Sequence, residues 1–141
     1  MIDPQTIDVY DSNAQDYVER FATESPSKSL SEFMQHLPAK ARVLDWGCGP
    51  ATSSHHLQQA GFDPDPVDAS SAMVVLAKKR YGLKARVGSF EDDLAEGAYD
   101  GVWANFSLLH APRHQFPVYL KKLHAALADN GVLHLGLKRG A

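Results

Sequence analysis

The sequence predicts an α/β protein: a doubly wound, mostly parallel sheet with helices on both faces. Three observations lead there. From residue 42 onward, short apolar runs alternate with stretches of helical period, and that alternation implies parallel strands covered on both sides. The first run, "ARVLDW", leads directly into a glycine loop, Gly47-Cys48-Gly49, and then a helix. The chain has 141 residues, 44% of them hydrophobic, enough for one domain with one buried core.

The elements follow in order. Ile7, Tyr10, Ala14, Tyr17, Val18 and Phe21 recur at helical spacing. A polar turn, "ESPSKS", separates them from a second helix over about Ser29 to Leu37, which Pro38 ends. After "ARVLDW" a helix starts near Pro50 and stops at Gly61. "FDPDPVDAS" holds the second strand, expected to be short because Pro64 and Pro66 remove ladder donors. Ser70 caps the helix carrying Met73, Leu76 and Ala77. "LKARVGSF" and "YDGVWANF" are strands three and four. Phe116, Tyr119, Leu120, Leu123 and Leu127 mark the longest helix, and Asp129-Asn130-Gly131 turns the chain into the last strand, "VLHLGLK". Residues 1–38 read as N-terminal helices, placed against the sheet or over its ligand end, and residues 39–141 as the ligand-binding core of a single structural domain.

Charge and composition exclude several classes. The net charge of −3, with no basic stripe, speaks against a nucleic-acid partner. No apolar run reaches the roughly 18 to 20 residues of a membrane helix, and "MIDPQTIDVYD" lacks the apolar stretch of a secretory signal. A lone cysteine, Cys48, precludes an internal disulfide and suits the cytoplasm.

Doubly wound sheets bind ligands beyond the carboxyl ends of their strands. Here those ends are Asp45 to Gly49, Asp68, Ser89 to Glu91, and Asn105 to His110. The dinucleotide fingerprint places its third glycine where this chain has Thr52, and it wants a pyrophosphate close to Asp45, which would repel it. Asp68 lies 19 residues past Gly49, the place from which an acid takes ribose hydroxyls. Two such carboxylates describe a ligand with a ribose, a positive group and no phosphate. S-adenosylmethionine has these parts.

"VLDWGCGPA" resembles the first motif of class I S-adenosylmethionine-dependent methyltransferases, a Rossmann-like family. "PVDASSAMVVLAKKR", "YDGVWANFSLLHAPR" and "LHAALADNGVLHLGLKRG" are similar to its later segments. "YDSNAQDYVERFA" is similar to the lid helix of its small-molecule members. The resemblance implies S-adenosylmethionine as cofactor, S-adenosylhomocysteine as product, and a small-molecule methyl acceptor. It implies that Asp45 and the loop Gly47, Cys48 and Gly49 hold the methionine part. Asp68 would bind the ribose, with Ala69 and Met73 beside the adenine, and Ser89 and Phe90 at the adenine ring. Asn105 and Phe106 would touch the methionine end, and Tyr10 and Tyr17 would close over the cofactor.

Three departures stand out. Ala51 replaces the motif's third glycine, a mild change if it lies in a helix interior. Ser89 replaces an aspartate, so its hydrogen bond is expected to move to Glu91 or to backbone. The family sheet ends in two further strands beyond the fifth; the sequence, ending at Ala141, is expected either to lack them or to be a truncated, partial chain.

Methyl transfer needs alignment of nucleophile, carbon and sulfur more than it needs an acid–base pair. His110 is the candidate base, weighed against a loop histidine that shapes the pocket. Arg113 reads equally as an anchor for an anionic acceptor or a brace for its loop. His55, His56, His110 and His114 lack metal-site spacing, and the first two read as a solvated helix face; no metal is expected. Cys48 reads as a small loop residue, Trp46 and Trp103 as core, "AKKR" as a solvated helix end, and Asp92, Asp93 and Glu96 as a solvent-facing loop. Two other functions compete: a non-catalytic or regulatory S-adenosylmethionine-binding module, and an NAD-dependent oxidoreductase.

Overall fold

The computed structural model describes residues 25–89, 92, 94–105 and 116–136. In chain order the elements are α1 (Lys28–Gln35), β1 (Arg42–Trp46), α2 (Thr52–Gln59), β2 (Asp63–Asp68), α3 (Ser71–Tyr81), β3 (Arg86–Val87), β4 (Tyr99–Asn105), α4 (Phe116–Ala126) and β5 (Leu127–Gly136). The five strands form one sheet in the order β3-β2-β1-β4-β5, and each neighbouring pair is parallel. The order reverses between β1 and β4, which makes their carboxyl ends the switch point.

Residues paired across parallel strands share a face, so the two cores can be read from the register. Leu44, Trp46, Val67, Val102 and Ala104 pack with Tyr119, Leu123 and Ala126 of α4. On the other face Val43 and Trp103 pack with Leu30 and Phe33 of α1 and with Leu57 of α2. Trp103 and Trp46 are both core residues, as expected. Trp103 stacks on His134 at 3.9 Å, and Trp46 meets Tyr119 edge-on.

Helix ends follow local chemistry. The Ser27 hydroxyl accepts from the Leu30 N–H and starts α1; the Ser70 hydroxyl does the same for Met73 in α3. Gly82, at φ +71°, closes α3 with its N–H on the Lys78 carbonyl.

Three strands differ from expectation. β2 runs six residues despite its prolines. In a parallel strand alternate residues address opposite neighbours. The Asp63 N–H reaches Ala41 and the Val67 carbonyl takes N–H groups from beyond β1, so the odd positions serve β1. Pro64 and Pro66 therefore turn their missing donors towards β3, which is only two residues long and leaves no ladder there to break. β3 is correspondingly shorter than "LKARVGSF". β5 begins immediately after α4, and the expected turn is a bulge inside it. Tyr99 pairs with Leu127 but Gly101 with Val132, and Asn130 sits at φ +64°.

On the α4 face a polar cluster ties β1, β2, β3 and β4 together. Arg86 donates two hydrogen bonds to Asp65, at 2.8 and 3.1 Å, and the Tyr99 hydroxyl donates a third. Burial alone would raise the Asp65 carboxyl, but these bonds and the charges of Arg86 and Arg42 hold it below its ordinary value. Burial and the Asp65 carboxylate push the Tyr99 hydroxyl up to about 12. Asp65 shares a face with Leu44, whereas Asp45 and Asp68 lie on the other face.

Candidate functional site

The site grows from the end of β1. Gly47, Gly49 and Ala51 all adopt left-handed backbone, with φ of +76°, +57° and +66°. Ala51 is thus not inside a helix, as its reading as a mild change assumed. It occupies the N-cap of α2, fully buried, in a conformation that costs an L-residue about 1–2 kcal/mol. The motif's third glycine position keeps glycine-like geometry here without glycine.

The loop spends its own donors. The Gly47 and Cys48 N–H groups both donate to the Val67 carbonyl at 2.8 Å. The Gly49 N–H donates to Asp68 Oδ2 at 2.7 Å, Pro50 has no N–H, and the Ala51 N–H donates to the Cys48 carbonyl. A phosphate cradle needs such groups free and converging. This loop has already committed each of them to the protein.

Asp68 closes the end of β2. Its Oδ1 accepts from the Ser70 N–H at 2.8 Å while Oδ2 holds Gly49, so one carboxylate fastens the glycine loop to the start of α3.

Asp45 is 2% exposed and accepts a 2.7 Å hydrogen bond from Ser54 Oγ. Ala51 has no side-chain oxygen with which to cap α2. Asp45 fills that role from the neighbouring strand, because Ser54 is the third residue of the helix and its N–H also acts on the carboxylate. Burial still dominates and, with the charge of Asp68, pushes the Asp45 carboxyl up to about 7 against the two Ser54 bonds. Burial, Asp45 and Asp68 likewise push the Cys48 thiol up, so it stays protonated at neutral pH and is no nucleophile.

The remaining expectations divide. Ala69 is half-buried beside Asp68, and Met73 is buried in the first turn of α3. The Ser89 N–H donates to Asp92 Oδ2 at 2.9 Å, so the acid at Ser89 is Asp92, three residues on. Asn105 ends β4 at the switch point. Tyr10, Tyr17, Phe90, Glu91, Asp93, Phe106, His110, Arg113 and His114 lie outside the described residues. His55 and His56 do not form the solvated face expected of them. His55 stacks on Tyr81 at 4.3 Å, and His56 is buried; burial, then the neighbouring His55, push its pKa down. Among the described residues no His, Cys, Asp or Glu cluster could hold a metal. None of their helices is long and apolar enough to cross a membrane.

Sequence reasoning missed Ser54. The available signal was a small hydroxyl residue one turn into the helix after the loop, on the side that must face the sheet.

Residues 43–131 match the profile of the family described as "Methyltransferase domain". A trans-aconitate 2-methyltransferase of Delftia acidovorans is 36% identical over 123 residues, 81% of this chain and 44% of that protein. A malonyl-[acyl-carrier protein] O-methyltransferase of Enterobacter lignolyticus is 31% identical over 114 residues, 78% of this chain and 45% of that one. The chain therefore spans about half the length of the curated relatives it matches. Among solved structures, a TehB-like SAM-dependent methyltransferase from Corynebacterium glutamicum superposes with a TM-score of 0.71 at 22% identity, over 86% of this chain and 72% of that one.

Proposed function

Since the chain belongs to the methyltransferase domain family, we propose that it binds S-adenosylmethionine at the β1–β2 edge and directs its methyl group to a small-molecule acceptor. The observation that carries the reading is the pairing of two buried carboxylates with a loop whose N–H groups are already spent. Such a site repels phosphate and attracts a cationic, polyhydroxylated ligand. Its carboxylates fit the cofactor: Asp68 would bind the ribose hydroxyls, and the ionised Asp45 offers a negative charge to the amino group of the methionine part. The bound cofactor supplies a methyl carbon activated by its sulfonium. The chain's part is to fix that carbon at the switch point between β1 and β4 and to hold the acceptor in line, which proximity alone rewards with about 7–11 kcal/mol. Ala69 and Met73 flank the adenine and Ser89 lies at its ring. Asn105 stands at the methionine end; closure over the cofactor falls to Tyr10 and Tyr17, and the role of base to His110, only by the family resemblance of the sequence.

Calorimetry tests the reading. S-adenosylhomocysteine binds in the micromolar range and NAD does not; tight NAD binding refutes it. Asp68→Ala abolishes cofactor binding, and an unchanged affinity removes the ribose assignment. Release of S-adenosylhomocysteine across an acceptor panel then separates an enzyme from a binding module.

A further inference from the structure

We propose that Ser54 is a positioning residue of this site: its hydroxyl holds the Asp45 carboxyl against the first turn of α2 and favours its anionic form, the form that meets the ligand's ammonium group. The inference rests on the cofactor reading above and goes beyond it by assigning a residue outside the glycine motif. Ser54 is fully buried, and its Oγ donates to Asp45 Oδ2 at 2.7 Å across nine residues of sequence. Its acceptor is a carboxylate that is itself buried, and such charge-assisted bonds are the strong ones. Because Ala51 provides no cap, the same contact joins the carboxylate to the helix N-terminus, whose positive end also favours the anion.

The groups facing Asp45 set the balance. Ser54 of α2 favours the charged form and Asp68 of β2 disfavours it, while the Cys48 thiol of the glycine loop, itself raised by Asp45, brings no charge of its own. Without Ser54 Oγ, burial and Asp68 act on Asp45 with less opposition. The carboxyl then keeps its proton to higher pH and presents no charge to an ammonium.

The test is the affinity of S-adenosylhomocysteine across pH 6 to 8.5, by calorimetry, for the parent chain, Ser54→Ala and Ser54→Thr. The ligand's own amino group titrates identically in all three. Ser54→Ala is expected to bind about tenfold more weakly at pH 6 for each unit its carboxyl moves, with little change at pH 8.5. Ser54→Thr, which keeps the hydroxyl, restores the parent profile. Adenosine, which lacks the amino acid tail, binds the three proteins alike. Equal weakening of Ser54→Ala at every pH, or of adenosine together with S-adenosylhomocysteine, reduces Ser54 to packing and overturns the inference. If Ser54→Ala does not fold, Ser54→Cys, a weaker donor of similar size, is expected to show a smaller shift in the same direction, and no shift overturns the inference equally. A parent chain that binds no S-adenosylhomocysteine at any pH refutes the cofactor reading instead.

Discussion

Asp45→Asn separates what the carboxylate costs the fold from what it offers a ligand. In the unfolded chain the carboxyl titrates near 3.8; in the folded chain burial keeps its proton until about pH 7. Between those values the folded state binds the extra proton, so stability from this group falls as pH rises and levels off above 7. The interval of about three units amounts to about 4 kcal/mol at 1.36 kcal/mol per unit. Asparagine keeps the shape and an acceptor for Ser54 Oγ but carries no charge to bury. It should therefore stabilise the free protein at pH 8 by about 3 kcal/mol more than at pH 5. For 141 residues one kcal/mol is worth about 3 °C, so the melting temperatures should separate by about 9 °C more at the higher pH. Calorimetric melts at the two pH values read this directly. The same variant should lose about ten- to a hundredfold in affinity for S-adenosylhomocysteine at pH 8, the loss expected for a charge-assisted bond. A stability difference independent of pH would refute the account of Asp45 as a buried acid that is neutral below pH 7.

Asp68→Asn removes the anion that holds the Gly49 and Ser70 N–H groups, and should lower the unfolding free energy of the free protein in urea by about 1–3 kcal/mol as well as weaken ligand binding. A Cβ on Gly101 would lie 2.9 Å from Phe33 Cζ and 2.7 Å from Leu37 Cδ2, so Gly101→Ala should cost about 1–3 kcal/mol by displacing α1, read by denaturant unfolding. Gly82→Ala meets nothing within 4 Å and should cost only the left-handed backbone penalty, about 1–2 kcal/mol. Tyr99→Phe removes one of the bonds that hold the Asp65 carboxyl low. The stability Asp65 gives is present above its unfolded pKa and lost as pH falls, so the variant should lose about 1 kcal/mol at pH 7 and less at pH 3, by thermal melts.

Much of the architecture was legible because it is written in period and punctuation. Ser70 before Met73 announced a helix start, and the alternation of strands with helices implied the parallel sheet. What failed was local backbone reasoning that needed a partner. Pro64 and Pro66 looked like strand breakers because a sequence does not say which neighbour each residue addresses; with β3 so short, their missing donors cost nothing. Asp129-Asn130-Gly131 looked like a turn before a strand. The same left-handed Asn130 fits a bulge, and only pairing with β4 distinguishes the two.

The site was legible in its charges and not in its connections. Asp45 and Asp68 could be singled out because two acids beside a glycine loop are incompatible with the phosphate such loops usually hold. That Asp68 binds the loop's own Gly49 N–H, and Asp45 the N-terminus of α2, depends on contacts across 19 and nine residues, which no local pattern encodes. Ala51 joins the two halves. Read as a helical alanine it seemed a tolerable loss of a glycine; in place it is a left-handed cap residue with no oxygen to give. A helix that starts on such a residue needs its first-turn donors met from elsewhere, and Ser54 finds its acceptor in the acid at the end of β1. The carboxylate proposed to recognise the ligand's charge thus also caps the helix that follows the glycine loop. Substitutions at Asp45, Ala51 and Ser54 should therefore fail to add, with coupling between them on the order of 0.5–3 kcal/mol.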